Sequence, residues 1–95
     1  MPQSSAIEML IDLASQNADE RARALGQALG LESSADKRLQ LLTDYRRDYL
    51  QNFDAATRRG LTATALINFH HFLQKLDSAI EQQSAAVANA RAATA

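Results

Sequence analysis

The chain has 95 residues, a formal net charge of −1 and no cysteine, which limits it to one small domain that buries about 60–65% of its unfolded surface. The balanced charge excludes a basic field for nucleic acid or an anionic membrane, and the lack of cysteine excludes disulfides and thiolate metal sites. Aromatic residues make up 5% of the chain and tryptophan is absent, so the Ala- and Leu-rich composition favours long helices.

The first predicted helix covers about residues 5–58. Apolar residues recur at steps of three and four from Ile7 to Ala56, which is the spacing of a coiled-coil seam, although Glu32 and Arg46 stand where an apolar residue is due. The start of this helix has no basic segment and no long apolar run, which predicts neither a signal peptide nor a membrane span.

A break in this helix is the alternative, at the stretch LGLESSAD (residues 29–36). Gly30 could end one helix, and Ser33 could start another with Asp36 as a capping-box residue, which would give a three-helix bundle. An interior glycine costs a helix only about 1 kcal/mol relative to Ala. We therefore expect a continuous first helix.

A chain reversal is predicted at residues 59–62, around Gly60. Gly60 suits the left-handed conformation that closes a helix, and Thr62 or Thr64 can cap the next one. Arg58 and Arg59 complement the negative end of the first helix. The second helix is predicted to cover about residues 63–93.

The second helix carries its own seam of apolar residues at steps of three and four, with Gln83 as its one polar member. The apolar members are Leu66, Phe69, Leu73, Leu76, Ile80, Val87 and Ala90. Two such helices joined by a short turn predict an all-α fold, a long antiparallel two-helix coiled-coil hairpin.

Antiparallel pairing around Gly60 predicts that facing residues have numbers that sum to about 121. This register pairs Leu42 with Ala79, Tyr45 with Leu76, and Tyr49 with Phe72. It also leaves the start of the first helix without a partner in this chain. Four apolar residues are then uncovered: Ile7, Leu10, Ile11 and Leu13.

The adjacent His70 and His71 follow Phe69, a seam residue, and should therefore point away from the seam. Metal ligands on one helix converge at spacings of three or four, whereas adjacent side chains diverge by about 100°. No third histidine or cysteine is present to complete a metal site. We expect two exposed polar positions, no metal and no cofactor.

Two apolar stripes near the turn form the candidate binding surface: Leu42, Tyr45 and Tyr49 on the first helix, and Phe72, Leu76 and Ala79 on the second. The predicted register places the stripes side by side, and an exposed patch with Tyr and Phe suggests a docking site. A shared core formed by self-association explains the stripes equally well. No catalytic motif occurs, so we predict a non-enzymatic protein.

Four stretches resemble the FliJ family of flagellar export proteins: AIEMLIDLA (6–14), DERARALG (19–26), LLTDYRRDYL (41–50) and INFHHFLQKLDSAIEQQ (67–83). The resemblance covers nearly all 95 residues and corresponds to the N-terminal two-thirds of the family. The two tyrosines of the third stretch and the spaced phenylalanines of the fourth are its least generic features.

The resemblance implies a soluble, non-enzymatic component of the flagellar type III export apparatus, cytoplasmic and peripheral at the flagellar base on the inner membrane. The family forms a stalk-like hairpin that links the export ATPase ring to the cytoplasmic linker of the export-gate protein FlhA and escorts flagellar export chaperones. It also implies a gate-binding surface at Arg38, Leu42, Tyr45, Tyr49, Phe72, Leu76, Ala79 and Gln83.

Arg38 and Gln83 differ from the Gln and His associated with the family at these two positions. Family members also extend beyond position 95, and their second helix covers the start of the first. The resemblance therefore implies a chain that is truncated at its C-terminus.

Overall fold

The computed structural model describes the backbone of residues 2–95 and the side chains of residues 4–95. Two helices, α1 (Pro2–Arg59) and α2 (Ala63–Thr94), pack along each other in a rod of 88 × 16 × 16 Å. The helices are antiparallel, because Phe53 stacks on Phe69 near the turn while Glu32 contacts Thr94 far from it. The predicted all-α hairpin is confirmed. Within the described residues, neither helix is long and apolar enough to cross a membrane.

Helix α1 runs without interruption through Gly26 and Gly30. The predicted alternative, a break that makes a three-helix bundle, is wrong. The physical reason is that α2 packs against α1 just beyond Gly30, and this packing outweighs the cost of about 1 kcal/mol for a helical glycine. Asp36 does not cap a new helix but accepts a hydrogen bond from Arg91 of α2 at 3.2 Å.

The turn lies at Gly60, as predicted. Gly60 has a φ of 96°, a conformation that glycine adopts without the steric cost of a side chain. Its N–H donates to the carbonyl oxygen of Thr57 at 3.1 Å. Thr62 is the N-cap of α2, and its hydroxyl oxygen accepts from the N–H of Ala65 at 3.1 Å. The choice between Thr62 and Thr64 is thereby settled in favour of Thr62.

The buried core is thin and belongs to α2, whose Phe69, Leu76 and Val87 are 7%, 6% and 4% exposed. A two-helix hairpin can enclose only the line where the helices meet. An aromatic ladder thickens the core near the turn. The ring centroids of Phe53 and Phe69 lie 3.5 Å apart, and those of Tyr49 and Phe69 lie 5.0 Å apart.

The predicted register holds at this ladder, because Tyr49 and Phe72 are neighbours, with ring centroids 4.6 Å apart. Further from the turn, the amide of Gln83 donates to the backbone carbonyl of Ala35 at 3.0 Å, and Arg46 pairs with Asp77. These contacts fall within a few residues of the predicted sum of 121.

The first part of α1 packs against no other element in the part of the chain that the structure describes. Every side chain from residue 4 to residue 27 is exposed. Ile7, Leu10, Ile11 and Leu13 are between 51% and 65% exposed. Helix α2 ends beside Glu32, whose carboxylate accepts a hydrogen bond from the Thr94 hydroxyl at 2.8 Å. The stretch that the register leaves uncovered is therefore an isolated helix with an apolar stripe.

Candidate docking surface

All eight predicted binding residues lie on one side of the hairpin, which we call the open flank. They occupy either seam positions or the positions directly beside the seam, where α1 and α2 present side chains to the same side. The eight are Arg38, Leu42, Tyr45 and Tyr49 of α1 with Phe72, Leu76, Ala79 and Gln83 of α2. The folded hairpin thus brings together residues from two distant parts of the sequence.

Three aromatic rings form the centre of the open flank. The Tyr45 ring meets the edge of Phe72 with centroids 6.0 Å apart and stacks on Tyr49 at 6.3 Å. Tyr45 is 51% exposed and Phe72 is 37% exposed, so both rings contact each other and still present a face to solvent. Aromatic residues held in this way are enriched at binding hot spots.

The eight residues differ in how far their side chains are exposed to solvent. Arg38, Tyr45 and Phe72 are exposed, and four others are half-buried: Leu42, Tyr49, Ala79 and Gln83. Leu76 is 6% exposed and supports the patch from beneath, because it is part of the core between the helices. A docking partner would contact the exposed members directly.

One apolar residue of this surface was missed in the sequence. Leu41 is 69% exposed and lies one helical turn before Tyr45, so it extends the patch outward on α1. It lies outside the three- and four-residue steps of the seam and so belongs to neither predicted stripe. An exposed Leu beside an exposed Tyr on the same helix face is the signal that could have found it.

A shallow groove of about 270 Å³ continues the open flank away from the turn. Its walls come from both helices: Leu31, Ser34, Ala35, Arg38, Gln83, Ala86 and Ala90. The residues that α2 contributes are small or, in the case of Gln83, tied to α1. This part of the flank is therefore concave, with Arg38 at its rim.

Comparison with known proteins identifies the family of the chain. The family model for the flagellar FliJ protein matches residues 3–95. The chain belongs to the FliJ family. It is 37% identical to the flagellar FliJ protein of Salmonella typhi over 82 residues, which is 86% of this chain and 56% of that protein. The flagellar FliJ protein of Escherichia coli (strain K12) is 33% identical over the same shares.

The chain therefore spans 56% of the length of these two FliJ proteins. No solved structure gives a significant match. The resemblance inferred from the four sequence stretches is confirmed at the level of the family.

The opposite side of this FliJ family hairpin is charged, and we call it the ionic flank. Arg46 pairs with Asp77 at 2.6 Å, and Arg91 lies 3.2 Å from Asp36 and 3.9 Å from Glu32. All of these side chains are partly exposed, so each pair contributes little to stability. Their main effect is to fill that side with charges that satisfy one another.

The two histidines of this FliJ family chain are exposed, as their positions beside Phe69 predict. The His70 ring meets the edge of the Phe69 ring with centroids 5.6 Å apart, while His71 lies on the outer face of α2. Among residues 2–95, no group of three or more His, Asp or Glu side chains is arranged to hold a metal ion.

Proposed function

We propose that this chain is a non-enzymatic, stalk-like component of the bacterial flagellar type III export apparatus. In this proposal the hairpin links the export ATPase ring to the cytoplasmic linker of the export gate FlhA and escorts flagellar export chaperones, at the flagellar base on the cytoplasmic side of the inner membrane. The open flank binds the gate, and the end of the rod away from the turn engages the ATPase.

The observation that carries the proposal is the exposed aromatic pair Tyr45 and Phe72 on one side of a rod 88 Å long. A rod of this length can touch two partners several nanometres apart. The pair is held by the ladder beneath it, so a partner would meet preorganised rings rather than mobile side chains. Membership of the FliJ family supports the flagellar setting.

The gate-binding step is tested by a pull-down or calorimetric titration with the cytoplasmic region of FlhA, including its linker. Tyr45→Ala and Phe72→Ala should each weaken binding by about thirtyfold or more, because hot-spot truncation costs about 2 kcal/mol or above. Circular dichroism should show nearly unchanged helicity. Binding that survives in both variants would return these rings to a purely structural role.

Ile67→Ala is the matched control. Ile67 is 55% exposed, so it is an exposed apolar residue of comparable kind, but it lies about 200° round the helix from the buried Phe69 and therefore on the outer face of α2, away from the open flank. Its replacement should leave gate binding unchanged. The same titration with the export ATPase tests the other end of the rod, where open-flank variants should have no effect.

A second candidate function is a structural or chaperone-like hairpin that self-associates through its apolar stripe. The observation in its favour is the exposure of Ile7, Leu10, Ile11 and Leu13 at 51–65%. Light scattering across a range of concentrations separates the two. A monomer that binds FlhA supports the stalk, whereas a stable oligomer without affinity for FlhA supports the alternative.

A further inference from the structure

The side chain of Gln83 binds the other helix of the hairpin. Its amide Nε2 donates to the backbone carbonyl oxygen of Ala35 at 3.0 Å, and this hydrogen bond is partly buried. Among the described residues, it is the only hydrogen bond from a side chain of one helix to the backbone of the other. Gln83 therefore differs from the exposed members of the open flank, whose side chains face solvent.

The contact depends on a small residue of α1 that faces a long polar residue of α2. The carbonyl oxygen of Ala35 has two lone pairs, of which the α-helix uses one. The side chain of Ala35 is a single methyl group, so the second lone pair stays accessible to the Gln83 amide. Both residues line the shallow groove of the open flank.

Gln83 lies on the middle one of three lines that run along α2 at heptad spacing. The middle line consists of Phe69, Leu76, Gln83 and Ala90. The line on one side is half-buried or buried and consists of Leu73, Ile80 and Val87. The line on the other side borders the open flank and consists of Phe72, Ala79 and Ala86. Gln83 is thus the one polar residue among three apolar lines.

Apolar packing alone tolerates more than one rotation of α2 about its axis. Hydrophobic burial is not directional, and a turn of about 50°, one heptad position, would bring the line of Phe72 into the interface between the helices. The opposite turn is disfavoured, because it would bring His70 and Asp77 towards the interface. The middle line stays covered in either of the first two settings.

The hydrogen bond of Gln83 permits only one of these settings. A helix with its side chains is about 10–12 Å wide, so a turn of about 50° moves a side-chain tip by about 5 Å. This displacement breaks a hydrogen bond of 3.0 Å. The pair of Arg46 and Asp77 on the ionic flank constrains the rotation less, because both side chains are partly exposed.

We propose that Gln83 is a positioning residue, whose bond to Ala35 fixes the rotation of α2 on α1 and so keeps Phe72 beside Tyr45 on the open flank. A polar residue within an apolar seam specifies one arrangement at some cost in stability. One net hydrogen bond favours its own setting over another by about fivefold. The effect on gate binding rests on the proposed function, whereas the effect on Phe72 does not.

Fluorine NMR of the whole chain, labelled with para-fluorophenylalanine, measures the position of Phe72 directly. The chain has three phenylalanines, and replacing each with Leu assigns its signal. The difference in chemical shift between light and heavy water reports the exposure of each ring. In the wild type this difference should be larger for Phe72, which is 37% exposed, than for Phe69, which is 7% exposed.

Gln83→Leu should lower the solvent-dependent shift of Phe72 towards that of Phe69, because settings that bury Phe72 become populated. The urea midpoint should not fall, since an apolar side chain replaces a half-buried polar one. Phe72 lies more than three turns from position 83, about 16 Å along α2, so the new side chain does not touch its ring. An unchanged shift of Phe72 would overturn the proposal.

Two further variants separate the hydrogen bond from other effects. Gln83→His keeps an N–H donor of similar reach and should retain the wild-type exposure of Phe72. Gln82→Leu makes the same chemical change at the adjacent, exposed position and should alter neither Phe72 nor the urea midpoint. The proposal would also be overturned if Gln83→His behaved like Gln83→Leu, or if all three rings became more exposed together, which would indicate general loosening.

A titration with the cytoplasmic region of FlhA distinguishes positioning from direct contact. Gln83→Leu should weaken binding by at most about fivefold, in proportion to the lost population with Phe72 exposed. Weaker binding with an unchanged Phe72 signal would make Gln83 a contact residue and defeat the inference. A wild type without affinity for FlhA, in which Gln83→Leu still withdraws Phe72, would sustain the inference and defeat the proposed function.

Discussion

Replacing Phe69 with Ala removes the most enclosed aromatic ring among the described residues and leaves the rest of the hairpin intact. Phe69 is 7% exposed, and its ring lies between Phe53 and Tyr49, at centroid distances of 3.5 and 5.0 Å. Phe72, on the next turn of the same helix face, is 37% exposed. The pair of variants Phe69→Ala and Phe72→Ala therefore makes the same chemical change at two levels of enclosure.

Truncation of a core Phe to Ala costs about 3–5 kcal/mol. We expect about 3 kcal/mol for Phe69, the lower end of this range, because a two-helix hairpin lets neighbours and water close part of the gap. For Phe72, which keeps more than a third of its surface in water, about 1–1.5 kcal/mol is expected. The difference matters because small domains have total stabilities near 5 kcal/mol.

Urea denaturation followed by circular dichroism at 222 nm measures both values, with the slope of the transition checked to be unchanged. Phe69→Ala should unfold at a much lower urea concentration than the wild type, and the midpoint of Phe72→Ala should shift by about half as much or less. Equal losses would mean that the aromatic ladder is not a core with an exposed margin. That result would also remove the reason for assigning Phe72 to docking.

Three further predictions concern the elements that set the hairpin's shape. Gly60→Ala should cost about 1–2 kcal/mol in urea denaturation because of the left-handed backbone, whereas Gly26→Ala, where a Cβ meets open space, should stabilise by up to about 1 kcal/mol. Thr62→Ala should cost about 1 kcal/mol by loss of the N-cap, seen as a lower thermal midpoint. A double-mutant cycle on Arg46 and Asp77 should give a coupling of about 0.5 kcal/mol that disappears in 1 M salt.

The fold could be predicted from the sequence because few arrangements satisfy its pattern. A single glycine lies between two long apolar series, and a threonine that can cap a helix follows it. A hairpin is the simplest arrangement that buries both series, and the position of Gly60 sets its register. The continuity of α1 at Gly30 was harder to decide. A helical glycine costs about 1 kcal/mol, and whether tertiary packing outweighs this cost depends on how much of α1 is covered by α2. That length is visible only in the structure.

The candidate surface was predictable as a location but not in its detail. Spacing placed Tyr45 and Phe72 side by side, and they are 6.0 Å apart. Spacing could not separate Leu76, which faces the core, from Ala79 beside it, because a step of three residues rotates a side chain by only about 60° from the original direction. Leu41 was missed because it lies outside the steps of the seam, and its exposure depends on where the second helix lies.

The two polar residues that interrupt the apolar series of α1 explain why one flank is open. Glu32 and Arg46 occupy positions where the pattern calls for apolar side chains, and both turn towards the ionic flank, where Arg91 and Asp77 meet them. Charges that are satisfied within the hairpin offer little to a partner. On the other flank, the described residues form no such pairs between the helices, and Tyr45 and Phe72 stay partly exposed. The interruptions in the seam thus mark the side of the rod on which charges are paired, and the open flank on the other side remains the candidate docking surface.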